Sequence, residues 1–472
     1  MLIAVAWGSA ENDVSSAMAE RFVNVDRETP LLLPPDLRDW VPEDDMVHFV
    51  LEAVKGVDMS AFRVNWRGTG SRQYPPHMML ALLIYCYSHG IFGSRRSERA
   101  TYRDVAVRLL SGDTHPDHDT ICKFRRENKV AFAAAFLHVL ELAREVGVLK
   151  VGTVSVDGTH IRANASKDCN VTYERAGELR EQLENDIVDL LKQAEEADQD
   201  DDDEGERLPE KIARREKLMA KLEAARQRLE EEAKRRAEAE KKGYEQKLDA
   251  REKREGRKKG PKPKAPKDTP NPKKQTNLTD GESGLMRKSN RESFTQSYNA
   301  QIAVDADGSQ LILSRHVSRC ASDANELKAA LEGIAAQVGR PGRALADSGY
   351  ANAAAIEEVE ADGIDLYVSV GREDGNYERN YDYRPEKARN KAPKKVTDER
   401  LLAMQAKLAT EEGKKIYRMR QQTVEPVFGI IKAAMGFRQF LLRGLSKVDT
   451  EWDLICLAYN MKRLWKAKGA VA

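Results

Sequence analysis

Tyr298-Asn-Ala-Gln-Ile-Ala-Val-Asp305 and Gln310-Leu-Ile-Leu-Ser-Arg-His-Val317 are two apolar, strand-like runs on either side of Asp307-Gly308. Asp-Gly between such runs is a strong hairpin signal, because glycine accepts the backbone twist a tight turn requires. The chain then changes period. Asp323-Ala-Asn-Glu326 has the form of a capping box, opening a helix through Leu327, Leu331 and Ile334. Asp323 is therefore read as a helix cap rather than a metal ligand. Ala344 to Asp347 is a buried strand, residues 350–360 a helix, and Asp365-Leu-Tyr-Val-Ser-Val370 a further strand. Helices follow over residues 398–409, around Glu425, and over residues 450–466 with Trp452, Leu454, Leu457 and Trp465. Residues 371–398 read as a polar loop.

Upstream, Val151 to Asp157 is one more β-rich run, followed by the polar tail His160-Ile-Arg162-Ala-Asn164. Strand, hairpin, helix, strand, helix, strand, helix is a mixed α/β order with an antiparallel hairpin and a later βαβ unit. It predicts an α/β domain, a mixed sheet with helices, and resembles the ribonuclease-H-like fold.

Three acids stand at telling places in this order. Asp157 closes the Val151–Asp157 run, Asp347 closes Arg343-Ala-Leu-Ala-Asp347-Ser-Gly-Tyr, and Glu425 lies on the helical stretch Tyr417-Arg-Met-Arg-Gln-Gln-Thr-Val-Glu425-Pro-Val-Phe-Gly-Ile-Ile-Lys432. Two aspartates at strand ends and a glutamate on a helix can converge on a pair of Mg²⁺ (or Mn²⁺) ions. Such ions favour oxygen donors, and a pair stabilises both the attacking and the leaving oxygen of an in-line phosphoryl displacement. Taken singly, each acid has a plainer reading: Asp157-Gly as a turn, Asp347 as a cap of the next helix, Glu425 as a surface acid.

From Leu31 up to Val151 the chain reads as helical, while residues 1–30 show no periodicity. Asp44 or Asp45 caps a helix over Met46–Val54, Tyr74-Pro-Pro-His opens one over Met78–Tyr87, and residues 97–110 form a third. Asp117 or Asp119 caps a long helix through Ile121, Phe124, Phe132, Phe136, Leu140 and Leu142 to about Val146. Arg95, Arg96 and Arg99, then Lys123, Arg125 and Arg126, cluster around its turns. A turn followed by a helix with basic residues early in it suits a helix-turn-helix facing DNA; a solvated helix face is the alternative. His115, His118 and Cys122 lack a nearby fourth ligand, which argues against zinc.

The chain carries 78 Lys+Arg against 77 Asp+Glu, a formal net charge of +1, but the charges are segregated. From about Thr172 to Lys242 it is rich in Glu, Lys, Arg, Ala and Leu. One apolar stripe runs through Leu179, Leu183, Ile187, Leu190 and Ala194, another through Leu218, Leu222, Ala225 and Leu229. The acid run from Asp198 to Gly205 between them reads as a solvated hinge, so the two helices fold back as an antiparallel coiled coil. Residues 251–275 hold eleven Lys/Arg against three Asp/Glu and five prolines. Proline at that density opposes helix and sheet, and the positive charge suits a phosphate backbone. No apolar run approaches a membrane span, and five scattered cysteines without Cys-x-x-Cys suit a reducing cytoplasm. The expected organisation is a disordered leader over 1–22 with Met18 as an alternative start, a helical DNA-binding domain over 23–148, and the first part of the catalytic domain over 149–170. A coiled-coil insert over 171–250, a basic linker over 251–290 and the rest of the catalytic domain over 291–472 complete it.

The blocks Val156-Asp157-Gly-Thr-His-Ile-Arg-Ala-Asn-Ala, Ala346-Asp347-Ser-Gly-Tyr350 and Tyr417…Glu425-Pro-Val-Phe-Gly-Ile-Ile-Lys432 resemble, in order, those of the DDE transposases of bacterial insertion sequences. The nearest group is the IS4/IS5-like assemblage, in particular its IS1182-like members. The resemblance implies that Asp157, Asp347 and Glu425 hold two divalent ions. Tyr417 and Lys432 match the aromatic and basic members of a Tyr-Arg-Glu-Lys signature, with six residues between Glu425 and Lys432. Its arginine is Arg418 or Arg420, since Gln421 stands where arginine is usual. His160 and Arg162 are candidate contacts to the scissile strand. The implied partners are double-stranded DNA, both element ends and target, and further copies of the chain in a homodimer or larger synaptic complex in a bacterial cytoplasm, at the nucleoid. The implied function is cleavage and strand transfer at terminal repeats; a nuclease of the same fold and a catalytically silent DNA-binding relative are the alternatives.

Overall fold

The computed structural model describes residues 36–64, 73–200, 208–252, 263–287, 292–371 and 396–471. The expected leader over 1–22, most of the acidic hinge, residues 253–262 of the basic linker and residues 372–395 of the polar loop lie outside these.

Six helices come first: α1 (Met46–Val54), α2 (Pro76–Ser88), α3 (Ser94–Arg103), α4 (Val105–Leu110), α5 (His118–Glu127) and α6 (Lys129–Glu145). Two helices expected as continuous are each broken in two. Asp104 ends α3 in extended backbone and accepts the Val107 N–H at 3.0 Å, capping α4. Asn128 separates α5 from α6. Its side-chain amide donates to the Phe124 carbonyl at 2.9 Å, and its oxygen accepts the Arg63 N–H at 2.7 Å. Local side-chain bonds thus replace the helical ladder at that residue.

The sheet then builds around β1 (Thr153–Arg162). β1 continues five residues past Asp157 because β5 (Thr295–Asp305) is long enough to pair with it antiparallel from Val154↔Asp305 to Arg162↔Ser297. On its other side β1 pairs in parallel with β7 (Arg343–Ala346), which in turn pairs in parallel with β8 (Asp365–Val368). β6 (Ile312–Ser318) completes the hairpin with β5, and β4 (Gly284–Met286) pairs with the start of β5. Gly308 in the hairpin turn adopts φ +126°, and Asp307 beside it accepts the Gly152 and Thr153 N–H groups, so the turn is tied to the start of β1.

Between β1 and β5 the chain leaves the sheet. β2 (Asn170–Thr172) and β3 (Gln275–Asn277) pair as a neck, and α7 (Tyr173–Asp200) and α8 (Leu208–Glu252) run antiparallel above it. Arg180 meets Glu223 at 2.9 Å and Arg215 meets Asp186 at 3.4 Å, while Ala176 and Leu222 are buried between the two helices.

Paired strand residues share a face of the sheet. The Arg315 face, which includes Ile302 and Asp157, is covered by α12 (Glu411–Gly429) and α13 (Leu445–Val471), numbered after α9 (Leu327–Glu332), α10 (Ala353–Ala361) and α11 (Glu399–Ala409). The opposite face, with Gly158, Gln301 and His316, is covered by α9. α13 begins five residues earlier than its sequence suggested and is buried all round from Glu451 to Met461. An all-round apolar helix belongs in a core. Here it links sheet and N-terminal helices: Arg315 pairs with Asp453 at 2.8 Å and lies over the Phe136 ring of α6, and Asn460 bonds both backbone groups of Ile312. One hydrophobic core therefore runs unbroken from Val41 to Leu464.

Candidate active site

Ser155, Asp157 and Thr159 alternate along β1 and share the face beneath α12. Thr423 of α12 bonds Ser155 at 2.8 Å, and Lys432, in the π-helical turn Ile430–Ala434 that ends this helix, bonds Thr159 at 2.5 Å and the His160 carbonyl at 3.2 Å. Asp157 lies between these two anchor points. The last β1–β7 pair is Val156↔Ala346, so Asp157 and Asp347 each stand one step beyond it on neighbouring parallel strands. The strand pairing alone brings these two acids side by side. Asp347 also accepts the Gly349 N–H at 2.7 Å, the local capping role that its sequence allowed.

Arg420 sits among the acids. Its guanidinium is 3.4 Å from Asp157 and 3.6 Å from Glu425, and its Nε is buried without a hydrogen-bond partner. Of the two arginines open to choice in the sequence, Arg420 faces the site and Arg418 is exposed on α12. Tyr417 packs with Leu345, Tyr367 and Ile416 next to Arg420; burial raises its pKa, against the pull of Arg420.

Burial pushes the Asp157 carboxyl up to about 7; Arg420 opposes this, and the negative charges of Asp347 and Asp323 add to it. Burial works against the charge on Arg420, but Asp157, Tyr417, Asp347 and Glu425 together hold its pKa above the ordinary value.

Gly158 follows Asp157 within the strand, not in a turn. A Cβ there would stand 2.1 Å from the Gln301 amide nitrogen and 2.8 Å from a carboxylate oxygen of Asp323. Asp323 is not the helix cap its sequence suggested: α9 starts at Leu327 with Glu326 at its N-cap. The Asp323 carboxylate instead accepts Asn299 at 2.7 Å and Gln301 at 2.6 Å. Tyr350 donates to Gln301 from behind. This network was missed in the sequence, although Asn299 and Gln301 alternating with Ala300 and Ile302 in a fully buried strand was a signal for it.

The expected DNA-contacting residues divide. Lys123 and Arg126 are exposed on α5, and Arg162 is exposed at the end of β1. His160 is half-buried; burial lowers its pKa, against the pull of Asp323. Arg125 departs from the expectation: it is buried, donating to the Tyr87 hydroxyl at 2.9 Å and the Phe92 carbonyl at 3.2 Å. Its place on the inward side of α5, opposite α2, makes it a core anchor. His118 bonds Glu98, and His115 bonds Thr101 and stacks on Tyr102, so neither is directed to a metal.

Among the described residues, no three His, Cys, Asp or Glu side chains are grouped closely enough to hold a metal ion. The donor type nevertheless fits a hard divalent cation. Asp157 is a half-buried carboxyl, its side chain 18% exposed, crowded by like charges, which a cation relieves. The Glu425 side chain is 56% exposed and lies 3.6 Å from Arg420.

Two family models match the chain. Residues 35–127 match "Transposase domain (DUF772)" and residues 264–461 match "Transposase DDE domain". No curated protein and no solved structure matches. A helical transposase domain ahead of a DDE domain on a mixed, ribonuclease-H-like sheet defines a transposase. The chain belongs to the DDE transposases of insertion sequences, with the architecture of the IS1182 family. Asp347 and Glu425 fall inside the DDE match. Asp157 falls between the two matches, ahead of the α7–α8 insert.

Proposed function

We propose that this transposase binds the terminal repeats of its element, cleaves DNA there in a metal-dependent reaction, and joins the freed ends to target DNA. Asp157, Asp347 and Glu425 are the catalytic acids. The observation that carries this reading is the meeting of β1, the end of β7 and α12 around Arg420, which joins acids from three distant segments.

Magnesium or manganese held by Asp157, Asp347 and Glu425 would supply Lewis-acid stabilisation of the attacking and leaving oxygens of the phosphodiester. The chain's own residues do the rest. Asp157 must lose its proton to accept a cation, which favours activity above about pH 7. Arg420 pairs with Asp157 and Glu425, and with a cation held by those acids its guanidinium would be available to a DNA phosphate. Lys432 at the end of α12 and Tyr417 at its middle flank the DNA end, with Arg418, His160 and Arg162 along the same strand path. Lys123 and Arg126 of α5 contact the repeat further out, and the basic residues after α8 track its backbone.

Holding two ends requires at least two copies, and the α7–α8 pair, an antiparallel coiled coil, is a contact element in that assembly. Replacing α7 and α8 by a short turn should lower the number of copies per assembly, read from the mass in solution; an unchanged number of copies removes the insert from the interface.

A strand-transfer assay with pre-cut ends tests the whole reading. Joined product is expected. Cutting of intact ends without joining would make the protein a nuclease, and binding without either a silent relative.

A further inference from the structure

Resting on that reading of the site, we propose that Asp323 is a positioning residue of the same centre: pinned from the opposite face of the sheet, its carboxylate sets the negative charge that draws a divalent cation to Asp157 and Asp347.

One oxygen of Asp323 is fixed by two amides of β5, Asn299 and Gln301, which are fully buried. Gln301 is itself locked by the Tyr350 hydroxyl, three residues after Asp347. The other oxygen stays on the side of Asp347. A Cβ at Gly349 would lie 2.9 Å from an Asp347 oxygen and 3.2 Å from this Asp323 oxygen, so the two carboxylates flank one glycine. The first oxygen comes as close to Gly158, where a Cβ would stand 2.8 Å away.

Both glycines belong to the blocks that carry the first two acids, Asp157-Gly158 and Asp347-Ser-Gly349. At Gly158 a side chain would collide with Gln301 and Asp323; at Gly349 it would collide with Asp347 and crowd Asp323. The absence of side chains at these two positions lets a carboxylate on the α9 face approach acids that stand on, and at the edge of, the α12 face. A salt bridge to Asp323 is not seen among the described residues; two amides hold it instead, and its negative charge acts on Asp157 and on the His160 imidazole. Two neutral donors orient a carboxylate without cancelling it, as outer groups do around bound metals.

The test is Mn²⁺ binding to the full chain without DNA, followed by electron paramagnetic resonance and calorimetry. Asp323→Asn keeps an oxygen to accept from Asn299 and Gln301 but removes the charge; Asp323→Ser also removes the charge, with a hydroxyl one bond short of those amides. Both should weaken Mn²⁺ binding about tenfold while the melting temperature stays within a few degrees. Affinity within twofold of wild type would overturn the proposal. So would unfolding of both variants, which would make Asp323 a structural anchor. A chain with Asp157→Asn and Asp347→Asn together separates the two ideas. If it binds Mn²⁺ as wild type does, the carboxylate centre itself fails. If it loses Mn²⁺ while the Asp323 variants keep it, only the role of Asp323 fails.

Discussion

Asp157 of β1 and Arg420 of α12 are 263 positions apart in the chain and 3.4 Å apart in the fold. The guanidinium provides the positive charge that this half-buried carboxylate has near it in the absence of metal. A guanidinium and a divalent cation compete for the same oxygens. Arg420→Gln should therefore tighten Mn²⁺ binding to the DNA-free protein several-fold while lowering DNA-end cleavage. Calorimetry and a cleavage assay on one preparation check it; weaker Mn²⁺ binding would show that Arg420 supports the metal site directly.

The same carboxyl gives the fold a pH dependence. Burial holds Asp157 protonated up to about pH 7 in the folded chain, whereas it ionises near pH 4 in the unfolded chain. Between these values folding takes up a proton, so the contribution of Asp157 to stability falls as pH rises through the window. Asp157→Asn should melt above wild type at pH 8 without metal, with the gap closing towards pH 4. Mn²⁺ should raise the wild-type melting temperature more at pH 8 than at pH 5, because it must displace that proton. Thermal melts across this range decide both points, and a gap independent of pH would contradict the assignment.

Neighbouring basic residues on α5 should behave oppositely. Arg125→Leu removes a buried cation that bonds Tyr87 and Phe92 and whose charge acts on the buried Glu451, so stability should drop by about 3–5 kcal/mol. Lys123→Ala and Arg126→Ala should leave the melting temperature unchanged. Each should weaken DNA binding and reduce the slope of log affinity against log salt by about 1. Denaturant unfolding and salt-dependent DNA titrations separate the two classes.

Gly158→Ala puts a methyl group 2.1 Å from the Gln301 amide. Both strands are fixed by the sheet, so Gln301 or Asp323 must move. A loss of about 1–3 kcal/mol is expected, with weaker Mn²⁺ binding. Denaturant unfolding that shows no change would mean the Gln301–Asp323 pair yields freely.

The hairpin at Asp307-Gly308 and the βαβ step through Ala344–Asp347 were legible because their signals are local: turn chemistry and short buried runs. The neighbouring positions of Asp157 and Asp347 were legible because each follows a short buried run. What local pattern could not carry was partner choice. Asp323-Ala-Asn-Glu326 fits a capping box, but Asn299 and Gln301, distant in sequence, claim the Asp323 carboxylate. Arg125 has the same local setting as Arg126, and only its distant partners, the Tyr87 hydroxyl and the Phe92 carbonyl, decide that it points inward. The full length of β1 depended on β5, which the insert displaces far along the chain. Arg420 was set apart from Arg418 by the turn of α12 over β1, fixed by the Thr423–Ser155 bond.

The central claim is that Asp157, Asp347 and Glu425 act as one centre. It is tested most directly by cleavage of DNA carrying the element's ends in Mg²⁺, comparing wild type with Asp157→Asn, Asp347→Asn and Glu425→Gln at matched end-binding. Each substitution should abolish cleavage while binding persists. Cleavage at the wild-type rate by any one of the three would contradict it.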